Sequence, residues 1–277
     1  MDRLPHCPPE RGPVVDVGGV DLLDLQGRSA LVTGAGLVGR EIAATLAAHG
    51  AGTVVVCDLA QGNAEEAADA VRDAGADALP IVTDLTDRAS VGRLADAARA
   101  TASPVQIIVN NAGMPPGSFE DSSWVKTFAD STPEEWEPLI RLNLYGVLYV
   151  THAFLGPMLE AGWGRVVTLI SDAGRTGDPH LAAYAAAKAG AAGFMRSLAT
   201  EVGGRGVTAN CVALGTLWRS PSPPSPEQLQ KMARRYPLGG PGYPRDVAAI
   251  VLFLASDAAR WITGQVYPLN GGYSYAL

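Results

Sequence analysis

Short apolar runs alternate with amphipathic stretches along most of the chain. Ser29-Ala30-Leu31-Val32-Thr33 is the first run; it leads into Gly34-Ala35-Gly36-Leu37-Val38-Gly39 and a helical pattern over Arg40 to His49. Thr53 to Cys57 repeats the run and ends at Asp58, after which Glu65 to Ala74 reads as a helix and Ala78 to Val82 as a strand. Asp84-Leu85-Thr86-Asp87 opens the next helix, because Asp and Thr side chains accept the unpaired N–H groups of a first turn. Val105 to Val109 is a fourth strand, followed by Asn110-Asn111-Ala112-Gly113. Pro133, behind Ser131-Thr132, starts a long helix to about Glu160, since proline lacks only an N–H that the first turn leaves unpaired anyway. Arg165 to Ile170 reads as a strand, Leu181 to Val202 as a helix and Val207 to Ala213 as a strand. Residues 226–235 and 244–256 read as helices, and Gln265 to Leu269 as a last strand.

Continuous apolar strands separated by helices are buried on both faces. The pattern therefore predicts an α/β fold: a doubly wound parallel sheet of about seven strands with helices on both faces. No break in composition interrupts residues 28–277, which read as a single domain. Residues 1–27, rich in proline, glycine and acidic side chains, read as an N-terminal extension, extended or disordered.

Composition narrows the function. The chain has 277 residues, 47% of them hydrophobic, enough for a large core. A net charge of −7 without any basic run argues against a nucleic-acid surface. The N-terminal residues carry no secretory apolar stretch, and the longest apolar run, Val247 to Ala255, is too short to span a bilayer, so a cytoplasmic protein is expected. Cys7, Cys57 and Cys211 show no metal-ligand spacing, and no metal is expected. Cys57 and Cys211 lie in strand-like runs and read as buried free thiols.

Candidate chemistry falls in two places. Gly34-Ala35-Gly36-Leu37-Val38-Gly39 fits G-x-G-x-x-G between a strand and a helix, where backbone N–H groups at the helix N-terminus can hold a pyrophosphate. Asp58 closes the second strand; a carboxylate there binds ribose hydroxyls and repels a 2′-phosphate, and neither Leu59 nor Ala60 offers a cation, which favours NAD over NADP. The second place is Ser171 to Lys188. Tyr184 and Lys188 are four residues apart in an alanine-rich helix, on one face of it. An ammonium beside a phenol favours the phenolate. Ser171, at the end of the preceding strand, can hold a substrate oxygen nearby, and the set can move a proton on and off an alcohol or carbonyl.

These motifs, in this order, resemble the short-chain dehydrogenase/reductase (SDR) family over about residues 28–273. The matching residues are Thr33-Gly34 with the glycine loop, Asp84-Leu85, Asn110-Asn111-Ala112-Gly113, Asn143, Ser171, Tyr184 and Lys188. The resemblance implies a single-domain Rossmann fold and an NAD(H)-dependent oxidoreductase that moves hydride between the nicotinamide and a secondary alcohol or ketone. It implies that Tyr184 is the general acid/base and that Lys188 lowers its pKa and holds the nicotinamide ribose. Ser171 would bond the substrate oxygen, and Asn143 would anchor a water in a proton relay from Lys188. Asp84 would bind the adenine with Leu85 beside it; Asn111 and Ala112 would line the adenosine ribose, with Gly113 close to the cofactor. Homo-oligomers, most often homotetramers, are implied, with the helices of about 133–160 and 181–202 at the main interface and residues 271–277 at a second.

The chain departs from the family pattern twice. The usual T-G-x-x-x-G-x-G loop is one residue shorter here, and Leu214-Gly215 stands where Pro-Gly is common, with Thr216 next as a contact for the nicotinamide carboxamide. The alternatives are an NADP-dependent ketoreductase and a non-catalytic nucleotide-binding scaffold or sensor. Met114 to Asp130, with Phe119, Trp124 and Phe128, and a lid over about 217–236, with Trp218, Arg219, Arg234 and Arg235, are expected to border an apolar or ring-bearing small-molecule substrate. The run Ser171-Asp172-Ala173-Gly174-Arg175 resembles alicyclic hydroxyacyl-CoA and 3-oxoacyl reductase branches.

Overall fold

The computed structural model describes residues 21–101, 104–114, 125–218, 220 and 222–275. Its centre is a sheet of seven strands: β1 (Ser29–Thr33), β2 (Thr53–Asp58), β3 (Asp77–Val82), β4 (Val105–Asn110), β5 (Gly164–Ser171), β6 (Val207–Leu214) and β7 (Val266–Leu269). All are parallel, in the order β3-β2-β1-β4-β5-β6-β7. Around it lie α1 (Leu37–Ala48), α2 (Gln61–Asp73), α3 (Arg88–Thr101), α4 (Pro133–Ile140), α5 (Gly146–Ala161), α6 (Ala173–Thr176), α7 (Ala182–Val202), α8 (Pro226–Ala233) and α9 (Pro244–Ala255).

Side chains alternate across a strand, so each apolar run feeds two cores. Ala30, Val32, Val54, Val56, Ile107 and Val109 pack with Ile42, Leu46, Val71 and Val251 from α1, α2 and α9. Leu31, Val55, Cys57, Ile108, Val166 and Ile170 pack with Leu94, Phe154 and Met195 from α3, α5 and α7. The thiols of Cys57 and Cys211 are buried and unbridged, and burial pushes both up to about 12. Cys7 lies outside the described residues.

Three elements differ from the sequence pattern. Leu25 is fully buried in the first core and its N–H donates to His49 O at 2.8 Å, so the packed body begins ahead of residue 28; residues 1–20 lie outside the described residues. α1 begins at Leu37, directly behind Gly36 in extended backbone, because the short loop has no residue to spare. The long helix from Pro133 is divided: α4, with Pro138 inside it, runs to Ile140, a π-helical turn spans Arg141–Tyr145, and α5 continues from Gly146. Proline removes one helix donor, and the wide turn that follows absorbs the mismatch.

Candidate active site

β1 and β4 are neighbours, yet their chains depart toward opposite ends of the sheet. The crevice at their C-terminal ends is where an open α/β sheet takes its ligand. Thr33 and Asn110 pair there. The Thr33 hydroxyl accepts the N–H groups of Asn111 (3.1 Å) and Ala112 (3.3 Å) and donates to Val109 O (3.4 Å). Asn111 Nδ2 donates to Thr33 O (3.0 Å) and Gly34 O (2.6 Å), tying the two turns together. A β-carbon on Gly34 would lie 2.8 Å from Ala112 Cα, and one on Gly39 would run into Gly34 O. Around Gly36 there is open space instead. Asn110 is buried and structural, donating to Thr168 Oγ1 (3.1 Å) and Thr151 Oγ1 (3.4 Å).

Asp58 stands at the end of β2 on the wall of the same crevice. One carboxylate oxygen accepts Ala35 N–H at 2.8 Å; the other accepts Ala60 N–H at 2.9 Å and Asn63 Nδ2 at 3.2 Å. The residue therefore clamps the glycine loop to the start of α2 while it borders the cleft. Asp84 makes a similar local turn, accepting from Thr86 N (2.8 Å) and Thr86 Oγ1 (2.7 Å), and Leu85 is buried beside it.

Ser171, Tyr184 and Lys188 meet across the end of β5. Ser171 Oγ accepts Ala173 N–H at 3.2 Å, which directs its own proton elsewhere. Lys188 is buried; its Nζ donates to Leu169 O at 2.8 Å and lies 5.8 Å from the centre of the Tyr184 ring. Asn143 sits in the π-helical turn beneath the cleft. Its Nδ2 donates to Leu139 O at 2.9 Å, while its Oδ1 is buried without a hydrogen-bond partner. A β-carbon on Gly113 would lie 2.9 Å from Lys188 Nζ and 3.1 Å from Asn143 Oδ1, so only glycine fits between them. The orphan acceptor and the buried ammonium thus flank one point of the chain, at Gly113.

One cleft of about 920 Å³ joins both places. It is bordered by Gly34, Gly36, Leu37, Val38, Gly39, Asp58, Asp84, Leu85, Asn111, Ala112, Gly113, Ser171, Tyr184 and Lys188. The volume suits a large ligand, and the N-terminus of α1 with open space at Gly36 fits a diphosphate. Two of the expected residues do not border the cleft. Asn143 lies behind Gly113. The Thr216 hydroxyl is bonded to Tyr236 Oη at 2.5 Å, and it is Leu214 and Gly215 that border the cleft. The sequence reading missed Asn63, Thr83 and Leu142 in the lining, whereas Met114, the start of the segment expected to border the substrate, is there; Asn63 had a signal in its position five residues after Asp58, on the first turn of α2.

Phe119, Trp124 and Arg219 lie outside the described residues. Phe128 stacks on Trp136 of α4 with ring centres 4.8 Å apart, and both border a small hollow with His180 on another side of Tyr184. Trp218 is bound to its own loop, Nε1 donating to Ser222 O at 2.7 Å. Arg235, just past α8, lies over the Tyr273 ring at 4.4 Å and 3.5 Å from Asp178. Among the described residues no cluster of acidic, histidine or cysteine side chains could hold a metal ion, and no helix is long and apolar enough to cross a membrane.

The profile of a protein family described as Enoyl-(Acyl carrier protein) reductase matches residues 35–274. The Escherichia coli 3-oxoacyl-[acyl-carrier-protein] reductase FabG is 37% identical over 253 residues, 90% of this chain and 98% of that protein. An Arabidopsis thaliana chloroplastic NADPH-dependent aldehyde reductase-like protein is 33% identical over 91% of this chain and 96% of its own length. A Sinorhizobium meliloti crystal structure, described as a candidate short-chain alcohol dehydrogenase, superposes with a TM-score of 0.82 at 30% identity, covering 91% of this chain and 98% of that one.

Proposed function

Because the chain belongs to the short-chain dehydrogenase/reductase family of oxidoreductases, we propose that it interconverts a ketone and a secondary alcohol with NAD(H) as its cofactor. When bound, the nicotinamide supplies or accepts the hydride. The chain's own residues handle the oxygen and the proton. In reduction, Tyr184 gives its phenolic proton to the carbonyl oxygen as that oxygen gains charge, and Ser171 donates a hydrogen bond to the same atom. The Lys188 ammonium stabilises the phenolate left behind. Asn143 Oδ1 holds a water that passes a proton toward Lys188 and on to Tyr184. The oxidation runs through the same groups in reverse. The 3-oxoacyl reductases among the relatives support a 3-oxoacyl thioester as the first substrate to test, and acetoacetyl-CoA is the simplest probe.

The observation that carries the NAD reading is Asp58 on the cleft wall. Leu59, Ala60 and Asn63 surround it, and the cation among the described lining residues is Lys188, beside Tyr184. Like charges about 4 Å apart repel by about 4 kcal/mol at an effective dielectric constant near 20. Half of that is roughly a 30-fold difference in affinity. Calorimetric titration is expected to show NADH binding at least that much tighter than NADPH, with the gap narrowed in Asp58→Ala. Tighter NADPH binding by the unaltered protein would favour the second reading, an NADP-dependent ketoreductase. The observation on its side is the relative named as NADPH-dependent.

A homotetramer is proposed with the same standing. Support comes from the turn into α5, where the exposed Tyr145 ring and the half-buried Tyr149 ring lie 6.0 Å apart. Light scattering should return the mass of four chains; a monomer at micromolar concentration would remove the proposal.

A further inference from the structure

Asp172, immediately after Ser171, is a buried carboxylate with three side-chain partners, Arg175 three residues on and Asn270 and Ser274 about a hundred residues away. Oδ1 accepts from Arg175 Nη1 (2.8 Å) and Ser274 Oγ (3.1 Å), and Oδ2 accepts from Asn270 Nδ2 (2.5 Å). Arg175 also donates to Ser274 Oγ (3.1 Å) and Tyr275 O (2.9 Å). The Gly271-Gly272 turn, both residues at positive φ, folds the segment after β7 back so that Ser274 reaches this group. Asn270 has a second neighbour. A β-carbon on Gly215 would lie 2.9 Å from Asn270 Cα, so Asn270 also backs the cleft wall. The backbone closes the ring: Asp172 N–H donates to Leu214 O, and Gly215 N–H to Leu269 O, each at 3.0 Å, while Ser171 pairs with Leu214 in the sheet.

We propose that residues 270–275 are a latch on the catalytic edge of the cleft and that Asp172 and Asn270 are positioning residues for Ser171. The inference rests on the reading of Ser171 as the group that holds the substrate oxygen. Burying a carboxylate is costly unless it is fully paired, and pairing one here with the segment after β7 couples that segment to the one strand end where about 1 Å of drift costs on the order of 100-fold in rate. Thr33, Asp58 and the glycine loop take no part in the ring, so the dinucleotide end of the cleft is independent of it.

The test uses the full chain carrying Asn270→Ala, Asn270→Asp or the exchange Asp172→Asn with Asn270→Asp. In Asn270→Ala, hydrogen exchange at the amides of Asp172 and Gly215 is expected to accelerate at least about tenfold, with the amides of Ala30 to Val32 unchanged. Turnover of acetoacetyl-CoA should fall by about 10- to 100-fold in kcat, while the dinucleotide Kd stays near that of the parent and the melting temperature falls by only a few degrees, the cost of one lost bond to a buried carboxylate. Asn270→Asp, which sets two carboxylates face to face, should fall further, and the exchanged pair should recover most of the lost kcat. Unchanged exchange at Asp172 and Gly215 would overturn the latch. Accelerated exchange with unchanged kcat would overturn the positioning role, as would a loss of kcat that follows melting temperature and Kd together. If the parent protein turns over no ketone at all, the functional reading fails, and the exchange measurement still decides the latch.

Discussion

Tyr184→Phe is expected to lower kcat by about 100- to 10,000-fold, the range that a positioned acid–base group contributes. The substitution removes one oxygen and keeps the ring, so the cleft wall and the packing of α7 persist. Lys188 keeps its bond to Leu169 O, which does not depend on the phenol. The hydride step then has no proton to accompany it, and the charge that develops on the substrate oxygen is met by Ser171 alone. Dinucleotide affinity should change by less than about threefold, because the lost interaction is one made mainly in the transition state. Reduction of acetoacetyl-CoA followed at the reduced nicotinamide absorbance gives kcat, and fluorescence titration gives Kd. A kcat within about tenfold of the parent would mean that proton transfer runs through another group, and the assignment of Ser171 and Lys188 would fall with it.

The parts of this molecule that were legible in the sequence are those set by local pattern. Strand positions followed from short apolar runs because a strand buried on both faces admits little else, and the observed strands agree with the pattern to within a residue at most ends. The glycine loop and the Tyr184–Lys188 spacing were legible because each depends on neighbours in the chain. What escaped depends on distant partners. The π-helical turn at Asn143 follows from Pro138 together with packing over α7, and helix periodicity carries no sign of it. The Thr216 hydroxyl points at Tyr236, twenty residues on in the sequence, and it is Leu214 and Gly215 that border the cleft. Asp172 and Asn270 are separated by 98 residues, and the Gly271-Gly272 turn that brings them together reads in isolation as an ordinary loop. Asp58 lies between these cases: its position was legible, but its bonds to Ala35 and Ala60 give it a structural task that the strand-end pattern does not reveal.

The short glycine loop makes its own prediction, and it is the second large one. Gly39→Ala is expected to weaken dinucleotide binding about 100-fold and to lower the melting temperature. The new β-carbon would run into Gly34 O and lie 2.8 Å from Asn111 Nδ2 and 3.0 Å from Gly34 C. Two of these are backbone atoms, and the third belongs to the side chain that ties Gly34 to β4. None can rotate away. Overpacking of this kind costs about 1–3 kcal/mol, and about 3 kcal/mol corresponds to roughly 100-fold in affinity if the loop opens to relieve it. A longer loop has slack to absorb such a shift, whereas here α1 begins one residue after Gly36, so displacement of Gly34 carries the first-turn N–H groups with it. Gly36→Ala is the control. Nothing lies within 4 Å of its β-carbon, so stability should hold, but the methyl enters the space left for the diphosphate and binding should still weaken. Calorimetry with NADH and thermal unfolding of both variants separate the two effects. If Gly39→Ala binds NADH as the parent does, the loop is not the phosphate cradle, and the nucleotide must be held from Asp58 and Asn111 without it.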